Sequence, residues 1–306
     1  MKFNSAFLQN LMAVGGYPSA AVENITALAD RIDGNAQLSS QLETLVNEYM
    51  YPEADGLDAC LAAVKALAEK YGENEYCLYN MFILACAPIL KERFDAAGFP
   101  ERVFYNTADD FRCKLLECKA CKGVWGTFHP GWNDGAFKMR RFAFGRFQYE
   151  VCTYDWENDF VTSCGKVMHV GDKYINIHIP STGVPLTDDV RLASYKEAYE
   201  YYKDMFPDGL MLFCCGSWLL YPRHREFLPK HLNILRFMDD FEVVGWAEKP
   251  TFENDWRIYG ADAELPYDKL PRKTSLQRAY ADWLLSGNKA GDAFCCMVFD
   301  GNKIVR

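Results

Sequence analysis

The sequence predicts an α+β protein: an α-helical bundle over residues 1–123, a linker over 124–135, and a mixed β-sheet domain flanked by helices over 136–306. Three observations carry this. Apolar residues recur at helical spacing through the first 120 residues. Beyond Gly123 the pattern changes to the period of two that marks strands. A chain of 306 residues, 50% of them apolar or aromatic, has material for two cores.

The opening MKFNSAFLQNLMAVGG carries one Lys and an apolar run broken by Gln9 and Asn10, which makes it an amphipathic helix and a poor secretory leader. After Pro18, Val22, Ile25, Ala29 and Ile32 form an apolar stripe. Leu38, Leu42, Leu45, Val46 and Tyr49 form another, and Leu57, Leu61, Val64, Leu67 and Ala68 a third. Residues 74–97 are apolar nearly all round, as befits a buried central helix, with a kink or break expected at Pro88. One more helix, about 100–119, brings the count to six. The stretch 124–135, with Gly, Pro and Asn and no periodicity, reads as the linker.

FKMRRFAFGRFQYEVC (137–152) alternates, and KVMHVGDKYINIHIP (166–180) breaks at Gly171-Asp172 like a hairpin. In YINIHIP, three isoleucines face one way, and Asn176 and His178 the other. A helix over 187–205 follows, with Thr187 as N-cap and Asp188 and Asp189 in its first turn. LMLFCC (210–215), NILRF (233–237) and FEVVGW (241–246) read as strands, with a short helix after Pro222. Thr274 and Gln277 have capping-box spacing, and Asp300-Gly301 marks a last hairpin turn.

Composition narrows the partners. With 33 basic against 42 acidic residues the net charge is −9, which argues against a phosphate-tracking surface and so against nucleic acid. The longest apolar runs fall short of the ~20 residues that span a bilayer. Twelve cysteines in a chain of this size, without a leader, imply reduced thiols and a cytoplasmic location.

Taken together, GRFQYE (145–150), INIHIP (175–180), GSWLL (216–220) and NILRF (233–237) resemble the bacterial acyltransferase-like family that joins an α-helical N-terminal domain to a GNAT-like C-terminal domain. The resemblance covers about 140–245 and extends to TSLQRA (274–279). It implies an N-acetyltransferase-like fold and acyl transfer from an acyl-CoA, with no substrate implied; the function expected on this basis is transfer of an acyl group, acetyl above all, to a small-molecule amine or hydroxyl, with no metal. In such acyltransferases Gln/Arg-x-x-Gly-x-Gly/Ala amides and a helix N-terminus hold the CoA pyrophosphate. The corresponding loop here, PSTGVPLTDD (180–189), has one glycine and ends on two acids that repel an anion, leaving Ser181, Thr182 and Gly183 to cradle the phosphate.

The residues suggest chemistry of their own. Alternation in FQYEVC puts Phe147, Tyr149 and Val151 on one face and Gln148, Glu150 and Cys152 on the other. If this strand shares a sheet with YINIHIP, Gln148, Glu150, Asn176 and His178 form one polar patch. Either these groups only satisfy one another, or His178 or Glu150 takes a proton from an attacking amine or hydroxyl, with Gln148 and Asn176 touching substrate. Ser217 donates to the leaving thiolate or an oxyanion. Arg236, like Arg257 in an otherwise apolar stretch, pairs with a substrate carboxylate, a CoA phosphate or Glu150. Two rival readings are a non-catalytic binding or assembly module that has lost the CoA loop, and a hydrolase with Cys214 or Cys215 as nucleophile. Cys113, Cys118 and Cys121 with His129 show part of a metal-cluster spacing without its second half. His169, His224 and His231 read as surface groups, Trp218 and Trp246 as core.

Overall fold

The computed structural model describes residues 1–51 and 57–306. The chain divides into two compact units, Met1–Phe142 and Ala143–Arg306.

Among the described residues the first unit opens with six helices of nine residues or more: α1 (Ala6–Val14), α2 (Ser19–Asp33), α3 (Ala36–Met50), α4 (Leu57–Tyr71), α5 (Glu75–Ala96) and α6 (Glu101–Lys122). Their starts follow from local chemistry. Ser5, Asn35 and Asn74 cap α1, α3 and α5 by accepting the otherwise unpaired backbone N–H of Leu8 (3.2 Å), Leu38 (3.1 Å) and Cys77 (3.2 Å). The apolar α5 is central, packing against α1, α2, α3, α4 and α6. It stays one helix through Pro88. The ring removes a single N–H, and burial of Phe82, Leu84 and Leu90 in the turns on either side holds the segment helical.

Residues 124–135, read from the sequence as a linker, are built into this unit. Thr127 N donates to Tyr76 O (3.0 Å), and a side chain at Gly126 would lie 2.4 Å from the Tyr76 carbonyl carbon. The short α7 (Asp134–Phe137) follows, its Asp134 accepting from Tyr49 Oη at 3.0 Å. No periodic pattern announced this packing, because close backbone approach at a glycine leaves none.

The second unit is built on a mixed sheet. Its strands are β1 (Arg141–Phe144), which spans the boundary between the units, and β2 (Phe147–Thr153). A separate two-stranded ribbon, β3 (Phe160–Val161) and β4 (Val167–Met168), intervenes before β5 (Lys173–His178). Then come α8 (Asp188–Tyr202), β6 (Met211–Ser217), α9 (His224–Phe227), α10 (Asn233–Met238), β7 (Glu242–Glu248), α11 (Trp256–Tyr259), α12 (Ser275–Leu285), β8 (Gly291–Phe299) and β9 (Ile304–Val305). The strand order is β1-β2-β5-β6-β8-β7, with β9 on β8. β2 and β5 are antiparallel, β5 and β6 parallel, and β6, β8 and β7 antiparallel. Helix α8 covers the Phe147–Tyr149 face: Tyr195 stacks on Phe147 at 5.6 Å, and Ser194 Oγ lies 2.7 Å from Tyr149 Oη.

Two elements differ from the sequence reading. NILRF is helix α10, not a strand: Leu235, Phe237 and Met238 are buried, a pattern that five residues of apolar character do not distinguish from alternation. The turn at Gly171-Asp172 does not pair β4 with β5. It closes a long excursion out of the β2–β5 hairpin, with Gly171 N donating to Tyr154 O (2.7 Å) and Tyr154 N to Asp172 O (2.8 Å).

Candidate active site

Register assembles the polar patch. The antiparallel β2–β5 ladder sets Gln148 opposite His178 and Glu150 opposite Asn176. Directly opposed side chains share a face about 5 Å apart. His178 Nε2 lies 3.2 Å from Glu150 Oε2 and 3.1 Å from Asn176 Nδ2, and the two ion-pair side chains are 15% and 14% exposed. One ring nitrogen serves these neighbours in different states. As N–H it donates to the Glu150 carboxylate, and as a bare nitrogen it accepts from the Asn176 amide. The pair therefore supports both protonation states of the same atom, which is what a group that takes up and returns a proton requires.

The patch sits where the sheet parts. The parallel register holds Ile175 opposite Phe213 and Asn176 opposite Cys214, and ends there although β5 runs to His178 and β6 to Ser217. Beyond that point the two strand backbones no longer pair with each other. Ser217 ends β6, and its Oγ accepts from Leu219 N at 3.2 Å, capping a turn of 3-10 helix over Trp218–Leu220.

The loop after β5 is braced from β2. Arg146 donates to Pro180 O (2.8 Å) and Val184 O (2.9 Å), and Thr182 Oγ1 accepts from Val184 N (3.2 Å). Gly183 has φ +83° with open space where a side chain would be. At the start of α8, Asp188 pairs with Arg191 (3.2 Å) and Arg236 (3.6 Å), so its charge is matched. Asp189 is different: Thr187 and the backbone N–H groups of Val190 and Asp189 itself hold its carboxyl below the usual range, so it uses amides that would otherwise face an anion. The loop thus presents Ser181, Thr182 and Gly183 ahead of a helix start already partly taken by a carboxylate.

Arg236 does not join the Glu150–His178 patch. It lies on α10, whose Phe237 packs 5.7 Å from Phe147 on the opposite sheet face, and it lines a groove of about 500 Å³ with Asp188, Arg191, Asp240 and Lys303. Arg257 sits on α11 with its guanidinium over the Trp256 ring at 4.2 Å. Cys214 and Cys215 are buried, and desolvation pushes both thiols well above the ordinary range, against a nucleophilic role. Among the described residues no three His, Cys, Asp or Glu side chains come together as a metal site. His169 is exposed beside Asp159 (2.7 Å), and Trp246 is 49% exposed rather than core.

His224 corrects the surface reading. It is fully buried, bonded to Tyr280 Oη and 3.3 Å from Leu219 O, with the Trp218 ring edge-on at 6.1 Å. Two residues went unremarked in the sequence. Arg146 lay inside a quoted motif but showed no partner, since its acceptors are carbonyls 34 and 38 residues away. Arg191 was visible only as the third residue after Asp188; its other partner, Asp240, comes from 49 residues on.

The helical first unit and the parted mixed sheet carrying a carboxylate–imidazole pair define an N-acyltransferase-like protein of two domains. Residues 6–139 match the family model of the N-acyltransferase N-terminal domain, and residues 142–297 that of the GNAT-like C-terminal domain; the chain belongs to this family. Solved structures agree in fold. A mutant acyltransferase in complex with octanoyl-CoA is 18% identical over 97% of this chain and 87% of its own, with a TM-score of 0.69. An acyltransferase in complex with CoA and 10C-teicoplanin is 16% identical over 94% and 98%, at 0.61. Another, in complex with decanoyl-CoA and teicoplanin, is 17% identical over 95% and 99%, at 0.59. No curated protein matches the chain in sequence. No helix among the described residues is long and apolar enough to cross a membrane.

Proposed function

We propose that this protein moves an acyl group from acyl-CoA directly to a small-molecule amine or hydroxyl. The observation that carries the proposal is the Glu150–His178 contact of 3.2 Å placed where the β5–β6 register ends. The pantetheine arm enters between the parted strands, and its phosphates lie near Ser181, Thr182 and Gly183, with Arg236 as counter-charge. The nucleophile's lone pair attacks the thioester carbon while the Glu150–His178 pair takes its proton. The C–S bond breaks, and the proton held by the Glu150–His178 pair is returned to the departing thiolate, to which Ser217 donates a hydrogen bond. The acyl-CoA complexes among the structures of like fold support this choice of donor, and their octanoyl and decanoyl groups make medium acyl chains the first to try beside acetyl.

Titration calorimetry with CoA, acetyl-CoA and octanoyl-CoA tests it. Absence of heat from all three at millimolar concentration sinks the reading. With binding in hand, His178→Ala is expected to keep its melting temperature and lose turnover. A second reading, a binding module that no longer catalyses, is favoured by one feature, the Asp189 carboxylate on the α8 amides. It predicts that CoA fails to bind, while a ligand without phosphates still raises the melting temperature.

A further inference from the structure

The Glu150–His178 patch contains a hydrogen-bond acceptor that no described residue satisfies. Gln148 is 2% exposed, and among the described residues its Oε1 has no partner. It stands opposite His178 in the β2–β5 ladder, which puts its side chain on the sheet face of the imidazole and of Glu150, two positions along β2. A buried amide oxygen without a partner is costly, and such atoms in folded proteins ask for an explanation.

Resting on the acyl-transfer reading, we infer that Gln148 orients the nucleophile and selects primary amines over alcohols. The argument is one of counting hydrogens. The site presents two acceptors to an incoming nucleophile, the Glu150–His178 base and Gln148 Oε1. A neutral primary amine has two N–H groups and one lone pair. One N–H goes to the base, the other to Gln148, and the two bonds leave the lone pair pointing at the thioester carbon. A hydroxyl has one hydrogen. It can serve the base or Gln148, and whichever it neglects stays unpaired in a buried site, so discrimination comes from an unmade bond rather than from size. The reaction balances with the second N–H retained: amine and thioester give amide and free CoA thiol, and Gln148 is bonded before and after.

The test uses a matched pair, 2,2,2-trifluoroethylamine and 2,2,2-trifluoroethanol, chosen because the amine is neutral at neutral pH and the two differ in the reacting group. CoA release from octanoyl-CoA is followed for the wild type, Gln148→Leu, Gln148→Met and Gln148→Glu. Leu and Met remove the acceptor, and the amine-to-alcohol ratio of kcat/KM is expected to fall roughly tenfold or more, mostly through the amine. Glu keeps an acceptor and is expected to retain the preference. A residue that merely held the fold would lose stability in the Leu and Met variants. An orphaned acceptor predicts the opposite, a melting temperature that is unchanged or raised. An unchanged ratio in both variants overturns the inference while leaving acyl transfer standing. Failure of the wild type to bind octanoyl-CoA overturns the acyl-transfer reading, and this inference with it.

Discussion

Histidine 224 makes the stability of this protein depend on pH in a direction that can be worked out beforehand. It is fully buried among Trp218, Tyr221, Phe227 and Tyr280, and burial pulls its pKa from 6.5 to about 4. The unfolded chain takes up a proton near pH 6.5, the folded chain only near pH 4. Between those values the unfolded state holds more protons, so stability is complete above pH 6.5 and falls as the pH falls. At about 1.4 kcal/mol per pH unit the window costs roughly 3 kcal/mol, a large part of a domain's margin. Many carboxylates also titrate there, so the assay is a difference of differences. Urea unfolding is measured at about pH 7.5 and about pH 4.5 for the wild type and for His224→Phe, which keeps an aromatic ring in the cage. The variant starts lower, having lost its bonds to Tyr280 and Leu219. Its further drop on acidification should be smaller than the wild type's by about 2–3 kcal/mol. Equal drops in the two proteins would refute the reasoning and put the imidazole in contact with solvent.

Two further outcomes follow from buried polar groups. Ser194 Oγ donates to Phe144 O and accepts from Phe147 N (3.2 Å), with Tyr149 Oη at 2.7 Å. Ser194→Ala is expected to lose about 1–3 kcal/mol in denaturant titration. Arg191, with its side chain 4% exposed, holds Asp240 through Nε at 2.6 Å and Nη2 at 3.0 Å. Arg191→Met leaves Asp240 partly buried without its bidentate partner, for an expected loss of about 3–5 kcal/mol in the same measurement, whereas Arg191→Met with Asp240→Leu should recover most of it.

What the sequence made legible was periodicity and what periodicity can place. Six helices in the first unit followed from apolar stripes, and the capping box of α12, Thr274 with Gln277, was readable because both of its bonds are local. Gln148, Glu150, Asn176 and His178 were found together because alternation fixes faces, and a β2–β5 pairing then fixes neighbours. NILRF failed as a strand because five residues carry too little period to choose between helix and sheet. His224 failed for another reason. No local pattern shows that an imidazole 56 residues before Tyr280 will be bonded to it in a closed aromatic cage. Arg146 and Arg191 were lost likewise, since the partners that fix them in the fold include carbonyls and a carboxylate brought from 34 to 49 residues away.

The start of α8 shows the same difference between order along the chain and position in space. Read along the chain, Asp188 and Asp189 put two negative charges at a helix start that would otherwise attract an anion. In three dimensions the two acids part company. Asp188 is answered at the surface by Arg191 from one turn on and by Arg236 from α10, so its charge is matched within the protein's own ion pairs. Asp189 alone remains as an anion on the helix amides. The repulsion expected of two unmatched charges is thus reduced to that of one. Asp189→Asn, which keeps a side-chain oxygen for Val190 N–H and removes the charge, tests the proposed phosphate position: tighter CoA binding by the variant is expected if the phosphates lie at the α8 start, and unchanged binding would move them away from it.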